Sequence, residues 1–381
     1  MKVILSVASI RYPLTGIGRY TYELARRLGQ SSDISDFRLF VGSRFTPTLP
    51  HAEDVSGANY KLKRIVQRSR LATEAYRIMM PSLAKRALKN YSDYIFHSPN
   101  FFIPPFQGRS VATFHDLSPF TFTDCHPIER VRFMQKEMHQ ALSRTNSLIV
   151  DSEFTRREMA EYFSWPLERI HTVPLASSDE FYPRNAIDIL AAMCRYNLTP
   201  GQYSLFVGTI EPRKNIETLL NAYARLPLSL RTRWPLVLTG YKGWRNETIH
   251  QRIEAAQREG WVRYLGFVPA VDLPLLYSGA RLFTFPSLYE GFGLPILEAM
   301  SSGIPVVCSN SSSLPEVAGS AALMCPPNDV EGLSDLLRQG LEDEIWRTTA
   351  IDEGLRQAAS FSWEKNAEQT QLVYQKILES P

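Results

Sequence analysis

Two glutamates eight positions apart, Glu290 and Glu298, bracket a glycine loop in the stretch FPSLYEGFGLPILEAM at 285–300. Residues 281–285 are a short apolar run, consistent with a buried strand. Gly291 and Gly293 permit left-handed or close-approach backbone. Pro295 suits a first helical turn, where its missing N–H costs nothing, and Gly303 and Pro305 stop the helix. Gly291, Phe292, Gly293 and Leu294 thus form a strand-to-helix loop that aims backbone N–H groups at an anion. Carboxylates beside an anion site are odd for charge alone. They make sense where they accept hydrogen bonds from neutral hydroxyls carried by that anion, as in a sugar nucleotide.

A second set of chemical groups lies in VGTIEPRKN at 207–215. A strand ends at Gly208, and a helix begins near Asn215, a good N-cap. Arg213 and Lys214 at this turn both reach a diphosphate, Arg through its planar fork and Lys as a point charge. His115 and Asp116 end another candidate strand and so face any cleft beyond the strand ends. His97 and Asn100 end one more, where a structural role is the better reading. Gly16 and Gly18 follow the first strand, without the full G-x-G-x-x-G of a dinucleotide site. Gly240 ends a further strand, as does the run Gly266, Phe267, Val268, Pro269.

The elements that must position these groups fall into two similar sets. Candidate strands at 2–8, 37–41, 94–97, 111–115, 148–151 and 170–173 alternate with helical patterns. A polar linker at 175–184 precedes a second set at 203–207, 236–239, 262–267, 281–285, 305–308 and 322–325. Alternating strands and helices give parallel, doubly wound sheets. Ligands in such sheets sit at the carboxyl ends of the strands, so two facing units place the site in the cleft between them. The expected organisation is α/β: a domain at 1–180, a domain at 181–361 and a final helix within 362–381.

At 381 residues, 44% hydrophobic, 21% charged and net +3, the chain has the composition of a soluble two-domain protein. That charge is too small to argue for nucleic acid as a partner. Cys125, Cys194, Cys308 and Cys325 lack C-x-x-C or Cys/His spacing, which argues against zinc or a disulfide framework and suits a reducing compartment. The apolar start is short and runs into Arg11, so it reads as a strand and not a signal peptide. No apolar run approaches the roughly 18 residues of a membrane span.

Glu-x7-Glu in the form EGFGLPILEAM, with FPS before it and SSGIPVV after it, resembles the signature of retaining GT-B glycosyltransferases of family 4. The resemblance extends over most of the chain. It implies two Rossmann-like domains, the first for the acceptor and the second for a nucleotide-sugar donor, with the last helix crossing back to the first. It implies that Glu290 binds sugar hydroxyls, Glu298 the ribose and His115 the donor sugar, with Asp116 a candidate for orienting the acceptor. Gly16 and Gly18 would approach the diphosphate; Gly208, Gly240, Phe267 and Val268 would border the nucleotide. Many relatives carry Arg where this chain has Thr209, so Arg213 is expected to supply the missing guanidinium. No two Asp residues stand two positions apart, unlike the Asp-x-Asp of metal-dependent GT-A transferases. Neither metal nor cofactor is expected, and the leaving diphosphate is stabilised by Arg213, Lys214 and helix N-termini.

Within the family, TIEPRKN and FHD look most like bacterial mannosyltransferases of O-antigen assembly. That implies GDP-mannose as donor and a lipid-linked oligosaccharide as acceptor. From 61 to 89 there are nine cations against the single acid Glu74. Leu71, Ala75 and Ile78 share a helical face, which Met79 and Leu83 extend past Pro81. A basic amphipathic helix reads as an anionic membrane contact, and places the enzyme in the cytoplasm, peripheral at the inner membrane face. Two other readings stay open: a nucleotide-sugar epimerase of GT-B-like fold, and a non-catalytic lipid- or nucleotide-binding subunit.

Overall fold

The computed structural model describes residues 1–14, 16–50, 70–244 and 246–379, with side chains except at 70–78. Two parallel sheets dominate it. The first contains β1 (Lys2–Ser6), β2 (Asp36–Val41), β3 (Arg44–Thr46), β4 (Ile95–Ser98), β5 (Arg109–Phe114), β6 (Ser147–Val150) and β7 (Ile170–Thr172). Their spatial order is β3-β2-β1-β4-β5-β6-β7. The second contains β8 (Ser204–Val207), β9 (Leu236–Thr239), β10 (Val262–Gly266), β11 (Leu282–Phe285), β12 (Val306–Ser309) and β13 (Ala322–Cys325), in the order β10-β9-β8-β11-β12-β13. The central strands are short apolar runs buried along their length, as strands covered by helices on both faces must be.

The first sheet has one strand more than the six expected. β3 pairs antiparallel with β2 at the edge, across a turn at Gly42 and Ser43. Its three residues, Arg-Phe-Thr, are too short and polar for a periodic signal.

Each sheet reverses its strand order once, beside β1 in the first and beside β8 in the second. Such switch points leave a crevice at the strand ends. In the second sheet β8 pairs directly with β11, Leu282 opposite Ser204 and Phe283 opposite Leu205. The loops after these strands carry Lys214 and Glu290. Residues 76 apart in sequence therefore meet because two parallel strands are neighbours.

The final helix, Trp363–Glu379, packs on the helix Gly16–Leu28 of the first domain. Arg27 Nη2 lies 2.6 Å from Glu364 Oε1, and Asn366 Nδ2 donates to Pro174 O at 2.8 Å. Deeper in, Tyr374 OH meets His97 Nδ1 at 2.6 Å, His97 Nε2 meets Thr113 Oγ1 at 2.9 Å, and Tyr20 OH meets the same hydroxyl at 3.0 Å. Burial pushes the His97 pKa down to about 3. A neutral ring with both nitrogens engaged is a structural element, as the sequence reading of His97 expects.

The helix Arg70–Ala87 runs through Pro81. Of the basic stretch 61–89, positions 61–69 and the side chains of 70–78 lie outside the described residues, including Leu71, Ala75 and Ile78. Further along, Met79 and Leu83 are exposed while Ala84 and Leu88 are buried. No described helix is long and apolar enough to cross a membrane.

Candidate functional site

The TIEPRKN turn and the glycine loop interlock. Lys214 Nζ donates to Glu290 Oε1 at 2.6 Å. Arg213 Nη1 donates to Glu290 Oε2 at 2.8 Å and to Tyr289 O at 2.6 Å, while its Nη2 reaches Glu211 Oε1 at 3.0 Å. All four charged side chains are close to nine-tenths buried or more. Burial alone would raise the pKa of Glu290, but Arg213 and then Lys214 outweigh it and hold it at about 2. Burial pulls Lys214 below the ordinary lysine value, against the opposing pull of Glu290. Asn215 stands at the N-cap position but in the left-handed region, φ 58°, with no side-chain cap bond. Its amide instead ties two loops together, donating to Pro286 O at 3.0 Å and Pro327 O at 2.7 Å.

One turn along the helix Leu294–Ser301, Glu298 accepts from Tyr277 OH at 3.0 Å, and burial pushes its pKa up to about 7. The loops after β8, β9 and β10 converge nearby. Gly208 N donates to Thr239 O and Gly240 N to Gly266 O, both at 2.9 Å. Gly240 has φ 145°, and a Cβ there would sit 1.9 Å from Gly208 O; only glycine fits. Val268 is buried, whereas Phe267 is exposed and stacks on exposed Tyr241, ring centroids 4.6 Å apart. This pair offers a flat aromatic surface where the nucleotide is expected. Phe292 turns away from the cleft: it is buried edge-on against Phe361. Its side chain therefore packs the domain and only its backbone borders the site.

Residues of the first domain close over this loop. His115 Nδ1 lies 2.7 Å from Asp151 Oδ2, and its Nε2 is 3.1 Å from Pro99 O. Burial lowers the His115 pKa, but Asp151 and the Pro99 carbonyl more than reverse that. With a partner at each nitrogen, the ring is not left free to approach a sugar oxygen. The expected sugar contact by either nitrogen thus requires breaking one of these bonds. Asp116 Oδ1 accepts from Ser118 N and Oγ at 3.0 and 2.8 Å, fixing the start of the short helix Ser118–Thr121. Gly16 opens the helix Gly16–Leu28, with nothing within 4 Å of a Cβ built on it, and Gly18 lies two residues further along, against Ser9 O.

Several contacts that join the domains carry no sequence signal. Gly291 O accepts from Ser152 Oγ at 2.7 Å and Thr155 Oγ1 at 3.2 Å. A Cβ on Gly291 would lie 1.7 Å from His115 O. Tyr289 inserts into the first domain, where its hydroxyl accepts from Leu117 N at 2.9 Å and donates to Glu158, and its ring lies against Phe122. Glu316 accepts from Glu153 N and Phe154 N at 2.8 and 2.7 Å, capping the helix Glu153–Phe163 from the opposite domain. Trp244 Nε1 donates to Cys125 O, with the Arg130 guanidinium over its ring at 4.7 Å. Among the described residues, no group of three or more His, Cys, Asp and Glu could hold a metal ion.

The geometry has counterparts. Residues 14–176 match the model of the Glycosyltransferase Family 4 domain, and residues 197–357 that of the Glycosyl transferases group 1. The chain is 47% identical over 381 residues to an O-antigen chain mannosyltransferase B of Escherichia coli, covering 99% of this chain and 100% of that one. It is 32% identical to a serotype-specific mannosyltransferase WbdA of Escherichia coli, over 91% of this chain and 42% of that longer protein. Among solved structures it resembles a sucrose-phosphate synthase from Thermosynechococcus elongatus, with a TM-score of 0.71 at 21% identity over 99% of both chains.

Proposed function

The chain belongs to the group 1 glycosyltransferases with a family 4 N-terminal domain, and from that premise we propose a retaining transfer of mannose from GDP-mannose to a growing, lipid-linked O-antigen glycan. The observation that carries it is the buried set Arg213, Lys214 and Glu290 at the strand-order switch, directly under the acceptor domain. The likeness to mannosyltransferases, full-length in the first of them, favours mannose and favours transfer over the epimerase and binding-subunit readings.

Lys214 and Arg213 hold the diphosphate, Glu298 takes ribose hydroxyls, and Glu290 takes sugar hydroxyls. The bond from the sugar C1 to the phosphate oxygen breaks while the acceptor oxygen bonds C1 on the same face. The acceptor proton passes to the departing diphosphate oxygen. Two features support this route. Asp116 is committed to Ser118, and His115 to Asp151 and Pro99. Neither stands as a ready base. The charge that builds on the diphosphate is met by fixed, largely buried cations, so the reaction proceeds without metal. The test is transfer from GDP-mannose to a mannan-type oligosaccharide in excess EDTA. Loss of activity on chelation, restored by Mg²⁺ or Mn²⁺, overturns the cation-free route.

A lipid-linked acceptor requires work at a bilayer. Exposed Met79 and Leu83, beside Lys85, Arg86 and Lys89, support a membrane-facing helix end. Each Lys or Arg near an anionic leaflet contributes roughly 1 kcal/mol, screened by salt over about 8–10 Å. The protein is therefore expected to float with phosphatidylglycerol liposomes at low salt. Changing Arg68, Arg70, Arg77 and Lys85 to Gln should release it while transfer to a short soluble acceptor persists. Failure of the wild type to float makes the stretch a solvated face only.

A further inference from the structure

We infer that Glu290 is a counter-anion that the donor diphosphate must displace, so that donor binding itself delivers this carboxylate to the sugar; the inference rests on the donor reading above. The two oxygens of Glu290 occupy Lys214 Nζ at 2.6 Å and Arg213 Nη1 at 2.8 Å, the same donors a diphosphate needs. Glu211 takes Arg213 Nη2 at 3.0 Å. Two cations therefore face two carboxylates, and this buried cluster presents no net positive charge to an arriving anion. Attraction appears only when one carboxylate leaves.

Glu290 is the one built to leave. Its backbone is pinned: Glu290 N donates to Ser312 Oγ at 2.9 Å, and Glu290 O accepts from the Ser313 hydroxyl at 2.8 Å. A turn of the side chain about this fixed Cα leaves the loop in place. Glu211 is sequestered further, its side chain only 4% exposed, and keeps Arg213 oriented during the exchange. Arg213 Nε is buried with no hydrogen-bond partner, an unsatisfied donor beside the position where phosphate oxygens would replace the carboxylate. A buried polar group left unpaired is costly, and an incoming anion removes that cost. Exchange of one charge-assisted pair for another also keeps each cation matched throughout.

The consequence is opposite effects on binding and on transfer. Removing the Glu290 charge frees Lys214 and Arg213, so GDP and inorganic pyrophosphate bind more tightly, by roughly 10-fold for one charge-assisted contact no longer competed for. Transfer falls, because the sugar loses its carboxylate. Calorimetric titration of the full chain with GDP and with pyrophosphate tests this for wild type, Glu290→Gln, Glu290→Ala and Lys214→Ala, each checked for folding by circular dichroism. Tighter binding by both Glu290 variants, weaker binding by Lys214→Ala and depressed transfer in all three support the exchange. Equal or weaker GDP binding by both folded Glu290 variants overturns it, while the Lys214→Ala result upholds the donor site. Absence of GDP binding by the wild type overturns both.

Discussion

Gly291→Ala is expected to depress sugar transfer on the order of 100-fold or more, since displacing reacting groups by about 1 Å already costs that much. The added Cβ would stand 1.7 Å from His115 O and 3.0 Å from the Asp116 Cβ. The His115 carbonyl directly follows β5, so it cannot step aside without moving the strand end. The two domains must instead separate, which breaks the Ser152 and Thr155 bonds to Gly291 O and lifts Tyr289 from its seat beside Leu117 and Phe122. The second domain itself loses nothing, because the collision lies across the cleft. GDP binding should therefore stay close to wild type while kcat collapses. Calorimetry beside a transfer assay separates the two, and near-normal kcat in the variant would mean that the catalytic arrangement does not bring these domains together at Gly291.

Lys214→Ala is expected to lower kcat/KM by about 10- to 100-fold, the worth of a charge-assisted contact of roughly 1.5–3 kcal/mol. From sequence alone, this lysine sits on a surface turn whose truncation leaves the fold untouched. It is in fact 8% exposed and paired with Glu290. Removing one partner of a buried ion pair costs roughly 3–5 kcal/mol when the other charge is left uncompensated. Arg213 remains on Glu290, so the loss here falls below that range, and a lowered Tm should accompany the lost activity. Kinetics at a temperature where the variant is folded isolate the catalytic part. Normal turnover there rejects Lys214 as a diphosphate ligand.

Much of the site was legible because its parts are local. A strand end, two glycines, a proline and two glutamates at 285–300 specify a loop and its helix without reference to the rest of the chain. The pairing of that loop with Lys214 was legible only as a resemblance, since nothing in the sequence says that β8 and β11 are neighbours. The occupancy of His115 was hidden for the same reason: Asp151 and Pro99 arrive from other strands. Phe292 and Tyr289 show the limit most clearly. Both are aromatic residues of one glycine loop, yet one fills its own domain and the other plugs into the facing domain. Only the packing of the two domains distinguishes them. Asn215 has the residue type of a helix cap, but the loop after β11 and the segment before the helix Val330–Glu342 claim its amide first. The edge strand β3 was invisible because three residues cannot display a period.

The most direct test of a retaining, metal-independent mannosyltransferase is to follow the anomeric centre of the product. Wild-type protein, α-configured GDP-mannose and a mannan-type oligosaccharide are incubated in excess EDTA, and the one-bond carbon–proton coupling at the new linkage is measured by NMR. The predicted result is an α-mannoside with stoichiometric release of GDP. A β-linked product, transfer only from a different sugar nucleotide, or release of free or epimerised sugar without extension of the acceptor would contradict it.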